Sequence, residues 1–196
     1  KVHPGQKWLK RTILEMGGKD AIVVDETADL DSAAEGIARA AFGFQGQKCS
    51  ACSRAIVVDE VYDEILARVV EHTKRITIGD PADQDTFMGA VIDAKAQKKI
   101  REYIETGKAE GRLVYQGEAP ADGYFVPPTI IGDVDARARI AQEEIFGPVL
   151  AIIPYKDEED AIRIANDSIY GLAGAVWSKD EARAQNVARR LRAGQI

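Results

Sequence analysis

The sequence predicts an α/β protein, a three-layer αβα domain built on a mostly parallel sheet. Two observations carry that prediction. Short Val- and Ile-rich runs without polar alternation, at 21–24, 55–58 and 149–153, read as strands buried on both faces. Between them lie segments whose apolar residues recur every three or four positions, and strands alternating with helices imply crossover connections in a parallel sheet. With 196 residues, 45% of them apolar, the chain can bury one sizeable core, and residues 1–196 are read as a single domain.

Taken in order, 21–24 is the first strand and 31–44 the first helix, with Ala34, Ile37, Ala38, Ala41 and Phe44 on one face. The strand at 55–58 precedes a helix over 61–75 that gathers Ile65, Leu66, Val69 and Val70. Gly79-Asp80-Pro81 is a loop, because proline bars helix from the residue before it. A third helix over 94–107 is expected to stop at Gly107 as its C-cap. Then come a short strand at 113–115 and a loop at Val126-Pro127-Pro128. A strand at 149–153, a helix at 158–166, a strand at 174–177 and an amphipathic helix at 181–192 complete the alternation.

Composition excludes several functions. Twenty-six basic against 32 acidic residues, a net charge of −6, argue against nucleic-acid binding. No apolar run approaches the roughly 20 residues that span a bilayer, and no signal-peptide core is present. Two cysteines cannot build a disulfide framework, which points to a reducing compartment: the cytoplasm, or the mitochondrial matrix in a eukaryote. The chain opens on Lys1 and stops at Gly194-Gln195-Ile196 on the approach to what reads as a further strand, so it is expected to be a piece of a longer protein.

Three segments hold residues suited to chemistry. In Gly46-Gln47-Lys48-Cys49-Ser50-Ala51-Cys52, the C-x-x-C pair admits a redox dithiol, an inert pair or a single nucleophile. Zinc has too few ligands, since only His3 and His72 accompany the two thiols and both are distant in sequence. Glycine and polar neighbours around Cys49 favour the nucleophile, and Lys48 puts a positive charge beside a thiolate. In Leu14-Glu15-Met16-Gly17-Gly18-Lys19, a strand-like lead-in delivers a carboxylate onto a tight turn, where glycines let a flat ligand approach the backbone. In Glu143-Glu144-Ile145-Phe146-Gly147-Pro148, an acid suited to ribose hydroxyls and an aromatic suited to a flat ring precede a buried strand. Taken singly, the last two segments read equally as an exposed turn and as a solvated acid pair beside a core Phe.

Jointly these segments resemble the aldehyde dehydrogenase superfamily, as does the stretch from Asn166 to Leu172 ending Tyr-Gly-Leu. The resemblance runs from Lys1 to Ile196. Within the family, Ala41 to Ala51, Tyr124 to Thr129 and Arg139 to Glu144 are similar to the group that oxidises glutamate γ-semialdehyde in proline breakdown. It implies the catalytic-domain fold of that family and a thioester mechanism. Cys49 would be the nucleophile, its backbone N–H an oxyanion donor, and Glu15 the base that activates water. Glu144 would hold the nicotinamide ribose, Phe146 would pack near the ring, and Gly17 would let the ring lie close. Ser50 would bind the substrate's α-carboxylate. The implied cofactor is NAD, with NADP open. The implied partners are a small aldehyde, a cofactor-binding domain elsewhere on the chain, and further copies in a homo-oligomer. The resemblance places the oxyanion-hole amide and the loop gripping the substrate's far end outside 1–196. Its ribose-binding Gln falls at Ala96, beside Gln97, and neither joins the site. Competing readings are a broader-specificity aldehyde dehydrogenase and a non-catalytic protein keeping the fold.

Overall fold

The computed structural model describes residues 3–196 and contains one six-stranded sheet in the order β3-β4-β5-β2-β1-β6. The strands are β1 (Asp20–Val24), β2 (Cys52–Val58), β3 (Arg112–Gln116), β4 (Thr129–Gly132), β5 (Val149–Tyr155) and β6 (Gly174–Trp177). All neighbours are parallel except the edge pair β3–β4. The helices are α1 (Leu30–Phe42), α2 (Tyr62–Lys74), α3 (Ala94–Glu110), α4 (Arg139–Gln142), α5 (Glu158–Asn166) and α6 (Glu181–Arg190).

Alternation along each strand splits the core in two. Ile22 and Val24, Ala55 and Val57, and Leu150 and Ile152 face α1 and α2. Ala21 and Val23, Ile56 and Val58, and Ala151 and Ile153 face the other way, with Ile100 and Ile104 of α3, Ile140 of α4 and Ala161 and Ile164 of α5. Both faces are covered, which is why these strands carry no polar period. Four helices start on an aspartate whose carboxylate accepts a backbone N–H of the first turn: Asp29, Asp93, Asp157 and Asp180.

Four local expectations are corrected. Helix α1 ends at Phe42, and Phe44 lies beyond it in a left-handed turn, exposed rather than on the helix's apolar face. Helix α3 does not stop at Gly107 but runs on to Glu110. Gly107 is buried against α4 and β4, where a Cβ would stand 3.1 Å from Ile131 Cγ1, so this glycine serves close packing rather than a cap. Strand β4 goes unread in the sequence, lying directly behind Pro127-Pro128 and spanning four residues. The strand-like lead-in before Glu15 is not a strand: residues 9–19 pair with no ladder, and Leu9, Ile13 and Leu14 are exposed. Among the described residues, no helix is long and apolar enough to cross a membrane.

Candidate active site

Parallel register explains how three distant segments meet. In the sheet β5, β2 and β1 are neighbours. Asp20 aligns with Cys52, and Arg54 with Ala151. The segments just before these strands, 15–19, 46–51 and 143–148, therefore lie side by side at one end of the sheet. Glu15, Gly17, Cys49, Glu144 and Phe146 line one open cleft of about 790 Å³ there, with Met16, Phe44 and Gln47. Ser50 is half-buried on the same turn as Cys49 and does not line the cleft. A larger groove, about 970 Å³, runs between α3 and residues 116–127, but its walls carry Lys98, Arg101 and Glu102 and no thiol. Chemistry, rather than volume, selects the first.

The thiol turn is built from backbone that side chains usually avoid. After α1, Phe44 and Gln45 have φ of 56° and 58°, and Gly46 has φ of 63°. Left-handed conformations at non-glycine residues are costly and persist where the surroundings enforce them. A Cβ on Gly46 would stand 2.3 Å from the Gly147 carbonyl, so only glycine fits between this turn and the Glu144 segment. Gln47 anchors the turn by accepting the Ile92 N–H at 3.1 Å. Ala51 N then donates to Lys48 O at 3.0 Å, which presents Cys49 and Ser50 at the tip of a tight turn.

The carboxylate turn closes on it from β1. Gly18 packs its bare Cα against the Cys49 carbonyl, where a Cβ would stand 2.0 Å away. Its N–H donates to Glu144 Oε1 at 3.0 Å. Gly17 faces the second oxygen, and a Cβ there would stand 2.9 Å from both Glu144 Oε2 and the Tyr170 ring. Phe146 holds φ of 59° and leaves its ring partly exposed to the cleft.

The two cysteines live in different surroundings. Cys52 is buried at the start of β2, and burial, reinforced by Asp20, pushes its thiol up to about 12. Its Sγ donates to Arg54 O at 3.5 Å. A thiol held protonated is a poor nucleophile, which weighs against a dithiol couple.

Sequence reasoning missed Gly18, Tyr170 and a buried cluster beneath the turns. Lys19 is 1% exposed and its Nζ has no hydrogen-bond partner among the described residues. Burial, with the Arg54 charge second, pulls its ammonium down to about 7. Arg54 spends its donors on the carbonyls of Lys19, Ile164 and Ala165, tying the β1 approach to the end of α5. A lysine directly after a glycine pair, just ahead of a wholly apolar strand, was the available signal. Gln97, next to the position where the family has its ribose-binding Gln, donates to Gly123 O and Phe125 O and so holds that loop.

Comparison with known proteins agrees with this geometry. Residues 2–196 match the model described as the aldehyde dehydrogenase family. The chain is 58% identical over 197 residues to 1-pyrroline-5-carboxylate dehydrogenase of Geobacillus kaustophilus, covering 100% of itself and 38% of that protein. It is 50% identical to the Bacillus subtilis protein of the same name, with the same coverage. The crystal structure of 1-pyrroline-5-carboxylate dehydrogenase from Thermus with bound NAD superposes with a TM-score of 0.89 at 47% identity, over 100% of this chain and 38% of that one. This chain thus spans a little over a third of the length of the curated relatives it matches. The sheet, the two facing turns and the family match over residues 2–196 agree: the chain belongs to the aldehyde dehydrogenase family.

Proposed function

We propose that this chain is the catalytic domain of a longer enzyme that oxidises an aldehyde to a carboxylic acid with NAD, and that the aldehyde is glutamate γ-semialdehyde, the open form of Δ1-pyrroline-5-carboxylate. The observation that carries the reading is the meeting of Cys49 and Glu15 on one cleft with Glu144 and Phe146. The names of the relatives support the substrate. Their bacterial sources support a cytoplasmic setting, and the family resemblance supports a homo-oligomer.

The residues present fit the dinucleotide. Gly18 N–H holds one oxygen of Glu144 and turns the other toward the bare edge of Gly17, an acceptor suited to ribose hydroxyls. The Phe146 ring offers a flat apolar surface beside it. When bound, NAD supplies the two-electron acceptor that converts a hemithioacetal on Cys49 into a thioester.

The remaining steps belong to this chain. The Cys49 thiolate adds to the aldehyde carbon, forming a C–S bond, while the carbonyl oxygen takes up negative charge facing the Cys49 N–H. Once the thioester stands on Cys49, Glu15 takes a proton from water and the resulting hydroxide adds to the acyl carbon. The C–S bond breaks, the thiolate is restored, the carboxylic acid leaves and Glu15 returns its proton to solvent. Ser50, next along the turn, has a hydroxyl able to donate to the substrate's α-carboxylate.

The test is selectivity of the full-length protein. Its kcat/KM for glutamate γ-semialdehyde is expected to exceed that for a neutral aldehyde of similar length on the order of 100-fold or more, because the neutral substrate leaves buried polar groups unpaired. Ser50→Ala should narrow the gap by raising KM for the semialdehyde alone. Equal efficiency on both aldehydes would discard the substrate while keeping the oxidation.

A further inference from the structure

Helix α3 grips the Glu144 segment through Lys99, Ile100 and Tyr103. Lys99 Nζ donates to the Glu144 carbonyl at 3.1 Å. One turn on, Tyr103 Oη donates to Glu143 Oε2 at 2.6 Å. Arg139 of α4 completes a fork on the same carboxylate, with Nη2 2.9 Å from Oε2 and Nε 3.1 Å from Oε1. Two cations lie near the Tyr103 ring, Lys99 Nζ at 5.7 Å and Arg139 Cζ at 5.6 Å from its centroid. Between Lys99 and Tyr103, Ile100 fills the space Gly147 leaves, where a Cβ would stand 2.5 Å from Ile100 Cγ1 and Cδ1. The Arg139 and Tyr103 hydrogen bonds hold the Glu143 carboxyl down to about 2, so the fork stays ionised at any working pH.

These contacts have a definite purpose to serve. The segment they hold contains Phe146 at φ 59°, a conformation its own backbone disfavours. Among the described residues, the Glu144 carboxylate is tied down by a hydrogen bond only from Gly18 N–H, across the cleft. We propose that Tyr103, seconded by Lys99, is a positioning residue for cofactor binding: Tyr103 holds the Glu143 carboxylate while Lys99 holds the Glu144 carbonyl, and together they set where the Glu144 carboxylate and the Phe146 ring meet the dinucleotide. Neither residue lines the cleft, so the effect passes wholly through the segment they hold. The proposal rests on the assignment of Glu144 to the NAD ribose.

The test is calorimetric titration of NAD into the full-length protein, with KM for NAD and for the aldehyde and the thermal midpoint measured alongside. Glu144→Gln reports on the ribose assignment. Tyr103→Phe removes one hydrogen bond to a charged group and is expected to weaken NAD binding about 5- to 20-fold, leaving KM for the aldehyde within about twofold. If Glu144→Gln weakens NAD and Tyr103→Phe does not, the positioning role is overturned while the ribose reading stands. If neither weakens NAD, both fall. A Tyr103→Phe protein with a lowered thermal midpoint and equal losses toward NAD and aldehyde would show a merely structural residue, and also overturns the proposal. Should Tyr103→Phe fail to fold, Lys99→Met decides: a selective loss of NAD affinity supports the role, and unchanged affinity overturns it.

Discussion

Alanine at Gly18 is expected to cut aldehyde oxidation by the full-length protein about 100-fold or more, because displacing reacting groups by about 1 Å has effects of that size. The added methyl would stand 2.0 Å from the Cys49 carbonyl oxygen, well inside contact distance, and both atoms belong to backbone that cannot rotate away. The β1 approach and the thiol turn must separate, which shifts Glu15 relative to Cys49 and stretches the 3.0 Å bond from Gly18 N–H to Glu144. Overpacking at such a site costs about 1–3 kcal/mol of stability, so the thermal midpoint should fall as well. Gly194→Ala is the control: its Cβ would meet only Leu172 O, at 3.4 Å, and activity and stability should hold. Steady-state rates and melting curves for both variants check this, and an active Gly18→Ala enzyme would mean that the two turns do not act as a unit.

Methionine at Lys19 is expected to stabilise the protein by about 1–4 kcal/mol at pH 7 and below, the range seen when buried charges are replaced by apolar residues of similar volume. The sign follows from proton linkage. In the unfolded chain the Lys19 ammonium titrates at its ordinary value of 10.5, whereas in the fold burial brings it to about 7. Between those values the unfolded state holds more protons, so the natural protein gains stability as pH rises through that window. Below about 7 both states are protonated and the penalty is at its full size, with a ceiling of about 5 kcal/mol. The advantage of Lys19→Met should therefore be largest near pH 6 and shrink toward pH 10, measured as the difference in urea midpoints of the two full-length proteins. A pH-independent difference, or destabilisation at low pH, would mean that the amine has a partner in solution.

The α/β class was legible because strands covered on both faces leave no polar alternation, and α5 and β6 fall where their periods predicted. Strand β4 was not, since four residues behind two prolines offer too short a period to distinguish from loop. Gly107 shows a different limit. A glycine near a helix end satisfies the local rule for a cap, and only the packing of Ile131 and Ile140 against it reveals another use. In the site, each motif was visible alone and ambiguous alone. What joined them is the strand order β5-β2-β1, which crossovers fix and local sequence does not encode. The same order buries Cys52 while leaving Cys49 on the cleft, a difference that C-x-x-C spacing does not show. Tyr103 and Lys99 read as ordinary positions on a charged helix. Their contact with Glu143 and Glu144 spans about forty residues and exists only in the fold.

On the proposed mechanism, Cys49 alone of the two thiols carries the reaction. NADH formation from glutamate γ-semialdehyde by the full-length protein, compared among the natural sequence, Cys49→Ala and Cys52→Ala, tests it most directly. Cys49→Ala should lose activity by a factor of about 1,000 or more, as expected for removal of a covalent nucleophile. Cys52→Ala should keep most of its rate. Residual turnover in Cys49→Ala near that of the natural protein, or loss of activity in a well-folded Cys52→Ala, would contradict the account.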